Sequence, residues 1–277
     1  MQFLELLKAV LFGIVEGVTE WLPVSSTGHL ILLDAFVKLQ VSGAFLEMFE
    51  VVIQLGAILA VVLLFFQKLN PFASVKTPAQ RQDTWRLWAK VAVGVLPSAG
   101  LGLLLDDWMD AHLYNYRVVA VTLVVYGVAF LLIEKYPRQR KTAETVWQLD
   151  YKTAALIGCF QCLALVPGTS RSGATILGAI LLGVSRAAGA EFSFFLAIPT
   201  MFGASALKLV KYLLEGICIS AMEIGVLLVG SLVSFGVSLL VIRGLMEFVR
   251  KHTFFGFGIY RIVLGILVLG WFALTTT

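Results

Sequence analysis

Along the chain, long apolar runs alternate with short charged connections, and the pattern breaks in two places. Crossing a bilayer takes about 20 apolar residues at about 1.5 Å each. Residues 49–69, 86–105, 117–133, 192–213, 222–242 and 254–274 supply six such runs. The breaks are PVSSTGHLIL at Pro23–Leu32 and PGTSRSGATIL at Pro167–Leu177, each a hydroxyl-rich knot set between apolar stretches. The stretches after them, 28–39 and 173–184, make helices of only about 18 Å. They predict two re-entrant helical hairpins with the knots as their tips. Pro23 and Pro167 are expected to end the helices before the tips, and Thr27 and Ser172 to cap the helices after them.

An offset of 145 superimposes the two knots. It pairs Gly13 with Gly158, Glu16 with Gln161, Ser25 with Ser170, Gly28 with Gly173 and Ile31-Leu32 with Ile176-Leu177, while the prolines fall one place out of step. Each half reads as a hairpin followed by three spans. A re-entrant hairpin returns to its own side, so three further spans bring the second hairpin in from the opposite face, and the repeats are inverted. The expected fold is an all-α polytopic membrane protein of six transmembrane helices plus two re-entrant hairpins in inverted-topology repeats. It forms one integral membrane domain over 1–277, with repeats at 1–138 and 150–277.

Basic residues orient this arrangement. The segments 68–90, 134–152 and 243–252 carry five, five and three Lys/Arg, against two, one and two in 1–48, 106–117 and 208–223. By the positive-inside tendency the first set is cytoplasmic. Both termini and the first hairpin then lie outside, the second hairpin enters from the cytoplasm, and the DDWMD stretch at Asp106–Asp110 fits an external loop.

Composition agrees with a membrane protein and excludes other classes. The 277 residues are 59% hydrophobic and only 14% charged, against about 25% charged in soluble domains. The net charge of +4 sits in loops between apolar runs, where topology accounts for it, so no nucleic acid is implied. No cleavable signal is expected before the first knot. Three cysteines, Cys159, Cys162 and Cys218, make no disulfide framework, and the C-x-x-C pair in an apolar setting reads as packing.

The polar residues that remain point to phosphate chemistry. Two hairpins entering from opposite faces aim the N-termini of their second helices at one place, and such N-termini attract anions. Arg171 adds a permanently charged fork, with carbonyl capping or snorkelling as its structural alternative. Glu16 and Glu20, at i and i+4, share a helix face and repel unless a cation or proton intervenes. Mg2+ or Ca2+ takes carboxylate and phosphate oxygens together; the alternative is the wet face of an interfacial helix. Ser25, Ser26 and Thr27 supply hydroxyls and His29 an imidazole, although the hydroxyls also serve as helix caps. Glu50 and Gln54 are flanking candidates, and Glu191 and Arg261 are further polar groups inside apolar runs.

EGVTEWLPVSSTGH and PGTSRSGAT closely resemble the two signature boxes of the undecaprenyl pyrophosphate phosphatase, or bacitracin-resistance, family. Glu16, Glu20, Ser25, Ser26, Thr27, Gly28 and His29 match the first, and Pro167, Gly168, Ser170, Arg171, Ser172 and Thr175 the second. The resemblance implies a multi-pass bacterial inner-membrane phosphatase. Such an enzyme converts undecaprenyl pyrophosphate to undecaprenyl phosphate and inorganic phosphate, with a divalent metal and a site opening outward. On this reading Ser26, His29, Glu20 and Arg171 are catalytic, with Ser26 the nucleophile and His29 its acid/base partner; metal-activated water is the alternative. Glu16 and Glu20 hold the metal. Ser25, Thr27, Gly28, Gly168, Ser170, Ser172, Gly173 and Thr175 bind the substrate. A polyprenyl pyrophosphate lipid is the expected partner and a homodimer a further candidate. Inverted repeats with broken helices also suit a secondary transporter or lipid flippase, but a carrier has no use for a Ser, a His, an Arg and paired carboxylates around one phosphate.

Overall fold

The structure, a computed structural model, describes residues 2–136, 142–216 and 219–275. Among the described residues its regular secondary structure is all helical, apart from one isolated bridge between Ala143 and Val184. In chain order the helices are α1 (Gln2–Thr19), α2 (Ser26–Phe36), α3 (Gly43–Leu64), α4 (Phe66–Leu69), α5 (Pro78–Leu113) and α6 (Tyr116–Lys135). After the loop come α7 (Tyr151–Cys162), α8 (Arg171–Leu181), α9 (Arg186–Leu214), α10 (Ala221–Lys251) and α11 (Phe255–Thr275). Cys218 and the basic residues Arg138, Arg140 and Lys141 lie outside the described residues, as does part of the boundary expected between the repeats.

Among the described residues six helices, α3, α5, α6, α9, α10 and α11, are long and apolar enough to cross a membrane. They carry largely exposed leucines on their outer faces, such as Leu104, Leu232 and Leu240, a pattern suited to hydrocarbon and costly in water. Polar caps set their ends. Ser42, Thr77, Asn115, Ser185 and Ser220 each accept a backbone N–H of the first turn, which satisfies a donor the helix itself leaves free. Pro97 and Pro199 lie inside α5 and α9 and each withhold one ladder hydrogen bond.

The two short helix pairs sit between these six. α1 packs along α10, and α7 packs along α5. Both contacts depend on glycine: a Cβ at Gly13 would stand 2.5 Å from the carbonyl oxygen of Gly230, and one at Gly158 2.0 Å from that of Gly94. Only a residue without a side chain allows that approach. The open ends of the pairs differ in place. At the first, Lys8 Nζ donates to Lys38 O (2.6 Å) and the Gln40 N–H to Glu5 Oε2 (2.8 Å), and Leu39 joins an apolar cluster with Tyr212 and Val226 beside the α9–α10 connection. At the second, the Thr142 N–H donates to Gly183 O (2.8 Å) and the Ser185 N–H to Ala143 O (2.9 Å), within the basic loop after α6.

The boundaries of the short helices correct the sequence reading. α2 and α8 begin at Ser26 and Arg171, with Ser25 and Ser170 as caps, each two residues before the expected Thr27 and Ser172. The reason is backbone shape. Ser25 and Ser170 turn with φ of 73° and 72°, so the chain reverses there and each hydroxyl meets the N–H three residues on, Gly28 at 3.3 Å and Gly173 at 3.1 Å. The prolines also do not end the preceding helices. α1 stops at Thr19, and α7 stops at Cys162 before a 3-10 turn at Leu163–Leu165.

Candidate active site

Both bends face one cavity of about 370 Å³. Ser26 and Thr27 line it from the first bend, Gly168, Ser170 and Arg171 from the second, and Glu20 from the end of α1. Apolar residues of α5 and α9, among them Val95, Leu103, Met201 and Leu207, form the rest of the wall. Gln54 of α3 and the polar trio Ser98, Gln161 and Thr200 also reach it.

A carboxylate and a guanidinium join the two halves of the chain. Arg171 Nε and Nη2 donate to Glu20 Oε1 at 3.3 and 3.2 Å, and Ser26 Oγ donates to Glu20 Oε2 at 2.8 Å. Arg171 is held on its other flank by Ser193 O (2.9 Å) and lies 5.7 Å from the centre of the Trp21 ring. Ion pair, hydrogen bonds and ring contact together fix the direction of its fork. Glu16, one turn before Glu20, is fully buried, and neither of its carboxylate oxygens has a hydrogen-bond partner.

The expected pairing of Ser26 with His29 is not what the structure shows. Ser26 bonds to Glu20, whereas His29 Nδ1 donates to Ser25 O (2.6 Å) and its Nε2 stands 2.7 Å from the Tyr260 hydroxyl. A ring that bonds to the carbonyl four residues back along its own helix is turned onto the flank that meets α11. His29 accordingly lines a separate, mainly apolar cavity with Tyr260 and Phe257.

The remaining expected residues divide in the same way. Ser172 and Thr175 are fully buried and line no part of the shared cavity. The Ser172 hydroxyl reaches Glu20 O and Leu22 O (3.0 and 3.1 Å), and Thr175 Oγ1 lies 2.7 Å from Ser193 Oγ. Ser25, Gly28 and Gly173 are taken up by capping. They build the bends, while Thr27 and Gly168 present themselves to the cavity and Ser170 both caps α8 and lines the wall. Gly168 adopts φ +87°, and a Cβ there would meet Thr122 Oγ1 at 2.2 Å, so the second bend tolerates no side chain at this position. Of the flanking candidates only Gln54 reaches the cavity; Glu191 pairs with Lys68 at the far end of the bundle. Cys159 and Cys162 are free thiols away from it.

A family model described as bacitracin resistance protein BacA matches residues 9–267. The chain belongs to that family. Among similar proteins, one named undecaprenyl-diphosphatase from Lactiplantibacillus plantarum is 56% identical over 272 residues, 98% of this chain and 99% of that protein. Proteins of the same name from Streptococcus thermophilus (57% over 267 residues, 96% and 93%) and Enterococcus faecalis (54% over 274 residues, 98% and 99%) are equally similar.

In this BacA-family chain three parts of the site have roles that the sequence pattern does not assign. Gln161 was seen only as the counterpart of Glu16, yet its Nε2 donates to Ser98 Oγ (2.6 Å) and Thr200 Oγ1 (3.2 Å), and this group forms a wall of the cavity. Ser98 and Thr200 each directly follow an intrahelical proline, a signal that was legible. Ser193 and Thr122, which hold Arg171 and the carbonyl of Pro167 (2.7 Å), gave no such signal. Arg261 is fully buried and donates to carbonyls of both bends.

Proposed function

We propose that this chain hydrolyses undecaprenyl pyrophosphate to undecaprenyl phosphate and inorganic phosphate, which recycles the lipid carrier of wall synthesis and confers bacitracin resistance. The observation that carries the reading is the single cavity in which Glu20, Ser26 and Arg171 meet from two bends far apart in sequence. The name shared by the relatives points the same way.

In this reading the diphosphate enters between the bends and the prenyl chain follows the apolar wall of α5 and α9. Ser26 Oγ attacks the terminal phosphorus while its proton passes to Glu20, to which it is already bonded. The bond from phosphorus to the bridging oxygen breaks, undecaprenyl phosphate leaves, and water then attacks the phosphoserine to release phosphate. Arg171 and the N-termini of α2 and α8 hold the negative charge of the transferred group. His29, engaged through both ring nitrogens, holds the first bend in place.

The donor set also suits a divalent cation. Two unpartnered oxygens on the buried Glu16, one turn from Glu20, are an unfavourable arrangement that a cation relieves. Among the described residues no group of three or more His, Cys, Asp and Glu gathers. A two-carboxylate site of this kind fits Mg2+ or Ca2+ shared with phosphate. Glu16 and Glu20 would hold the ion, which would supply positive charge against the diphosphate.

We further infer that α1–α2 and α7–α8 are re-entrant hairpins of inverted repeats in the bacterial inner membrane. Their open ends lie at opposite ends of the bundle, and each packs on a helix of the other half. The cavity is walled by the parts of α5 and α9 that lead into the weakly basic segments, which supports an opening to the external face. Phosphate release by the purified protein in detergent tests the reading. Wild type with Mg2+ or Ca2+ is expected to release phosphate from undecaprenyl pyrophosphate, and Arg171→Ala and Glu20→Ala to release it far more slowly; a silent wild type overturns it.

A further inference from the structure

Arg261 is a cation with no exposed surface, on an apolar helix, and among the described residues no carboxylate lies within ion-pair distance of it. A buried charge without a counter-ion is retained only where hydrogen bonds replace its hydration. Here they come entirely from the two bends. Nη1 donates to Pro23 O at 3.0 Å in the first, and Nη2 to Gly168 O and Thr169 O, both at 2.9 Å, in the second. These carbonyls lie where the chain is between helices and no ladder serves them.

The guanidinium packs closely against the second bend. A Cβ at Gly173 would stand 3.2 Å from Nη1, and the Tyr126 ring supports the guanidinium from another side, its centre 5.7 Å from Cζ. The preceding residue, Tyr260, holds His29 of α2. A guanidinium is a rigid planar fork, so donors on its two arms set the spacing of the carbonyls they hold. Arg261 itself lines no part of the shared cavity.

We propose that Arg261 is a positioning residue for the reaction: it locks the two bends at the separation at which Glu20, Ser26 and Arg171 act on one substrate, without touching that substrate. The role in the reaction rests on the phosphatase reading above; the clamp itself does not. A misplacement of about 1 Å far from the chemistry costs about a hundredfold in rate. Arg261→Met is therefore expected to lower kcat about a hundredfold with KM for the pyrophosphate lipid nearly unchanged. Arg261→Lys keeps the charge but loses the fork, and is expected to restore little.

Amide hydrogen exchange on the same proteins reads the clamp directly. In Arg261→Met, exchange should rise in both 20–28 and 166–173 while the interiors of α2 and α8 keep their protection. A rise in one bend only, in neither, or along the whole chain overturns the clamp. Full kcat in Arg261→Met, or full rescue by lysine, overturns its role in the reaction. Should the methionine variant not survive purification, Arg261→Lys carries both arms. In wild type the two bends should share one level of protection, and unequal protection also counts against the clamp. A wild type without phosphatase activity removes the reading above and leaves the exchange result to decide the clamp alone.

Discussion

The two bends have one backbone and two chemistries. Ser25 and Ser170 share the same left-handed turn, cap the following helix through the same N–H, and sit 145 residues apart. Around the first stand Glu16, Glu20 and His29; around the second stand Gln161 and Arg171. The shared turn places polar side chains where helices begin, and the differing residues make the two halves opposite in charge. A repeat thus yields one scaffold twice, and the site arises because its copies are complementary in charge.

Five experiments bear on that comparison, the largest expected effect first. Ser26→Ala should lower turnover by about a thousandfold or more, as loss of an attacking group does. Single-turnover phosphate release measures it, and substantial residual turnover would favour attack by water. Arg171→Ala removes the second bend's cation and should cost about a hundred- to a thousandfold in kcat. An effect as small as tenfold would mean that the second bend only shapes the cavity. Glu16→Gln writes the second half's residue into the first. Loss of a carboxylate beside a metal should raise the Mg2+ or Ca2+ concentration for half-maximal activity about tenfold or more, whereas an unchanged titration would put the ion elsewhere.

The last two experiments address the common scaffold. Ser25→Ala and Ser170→Ala each remove a helix cap and should each cost about 1 kcal/mol of stability, so their melting temperatures in detergent should fall together. A large difference between them would deny that the bends are equivalent. Asp150 caps α7, outside the membrane-crossing helices, and the hydrogen bond from Thr153 holds its carboxyl below the usual carboxylate range. A depressed value in the folded state means the stabilisation is present above the ordinary aspartate pKa and disappears as pH falls through the lower one. Asp150→Asn should flatten that acid-side loss, the smallest of the five effects because water screens an exposed carboxyl, read from melting curves between pH 6 and pH 3.

What was legible followed from periodicity and punctuation. Six apolar runs were visible because crossing hydrocarbon takes length and greasiness that no soluble segment needs. Glu20, Ser26 and Arg171 stood out because a polar residue in such surroundings is costly. The caps were misplaced by two residues because a left-handed serine has no signature among many hydroxyls. His29 lies three residues after Ser26, yet the turn of the helix points it towards Tyr260 and away from the Ser26 hydroxyl.

Taken alone, the sequence determined which segments are apolar, where the two bends fall and which ionisable groups the bilayer would have to accommodate, since each of these is a property of neighbouring residues. Tertiary structure decided the rest: that Ser26 answers to Glu20, that Arg171 closes onto the same carboxylate from 151 residues away, and that Arg261 holds both bends. Hydrogen bonds of that kind require atoms to meet within about 3 Å, and across such separations only the packing of the helices brings them there.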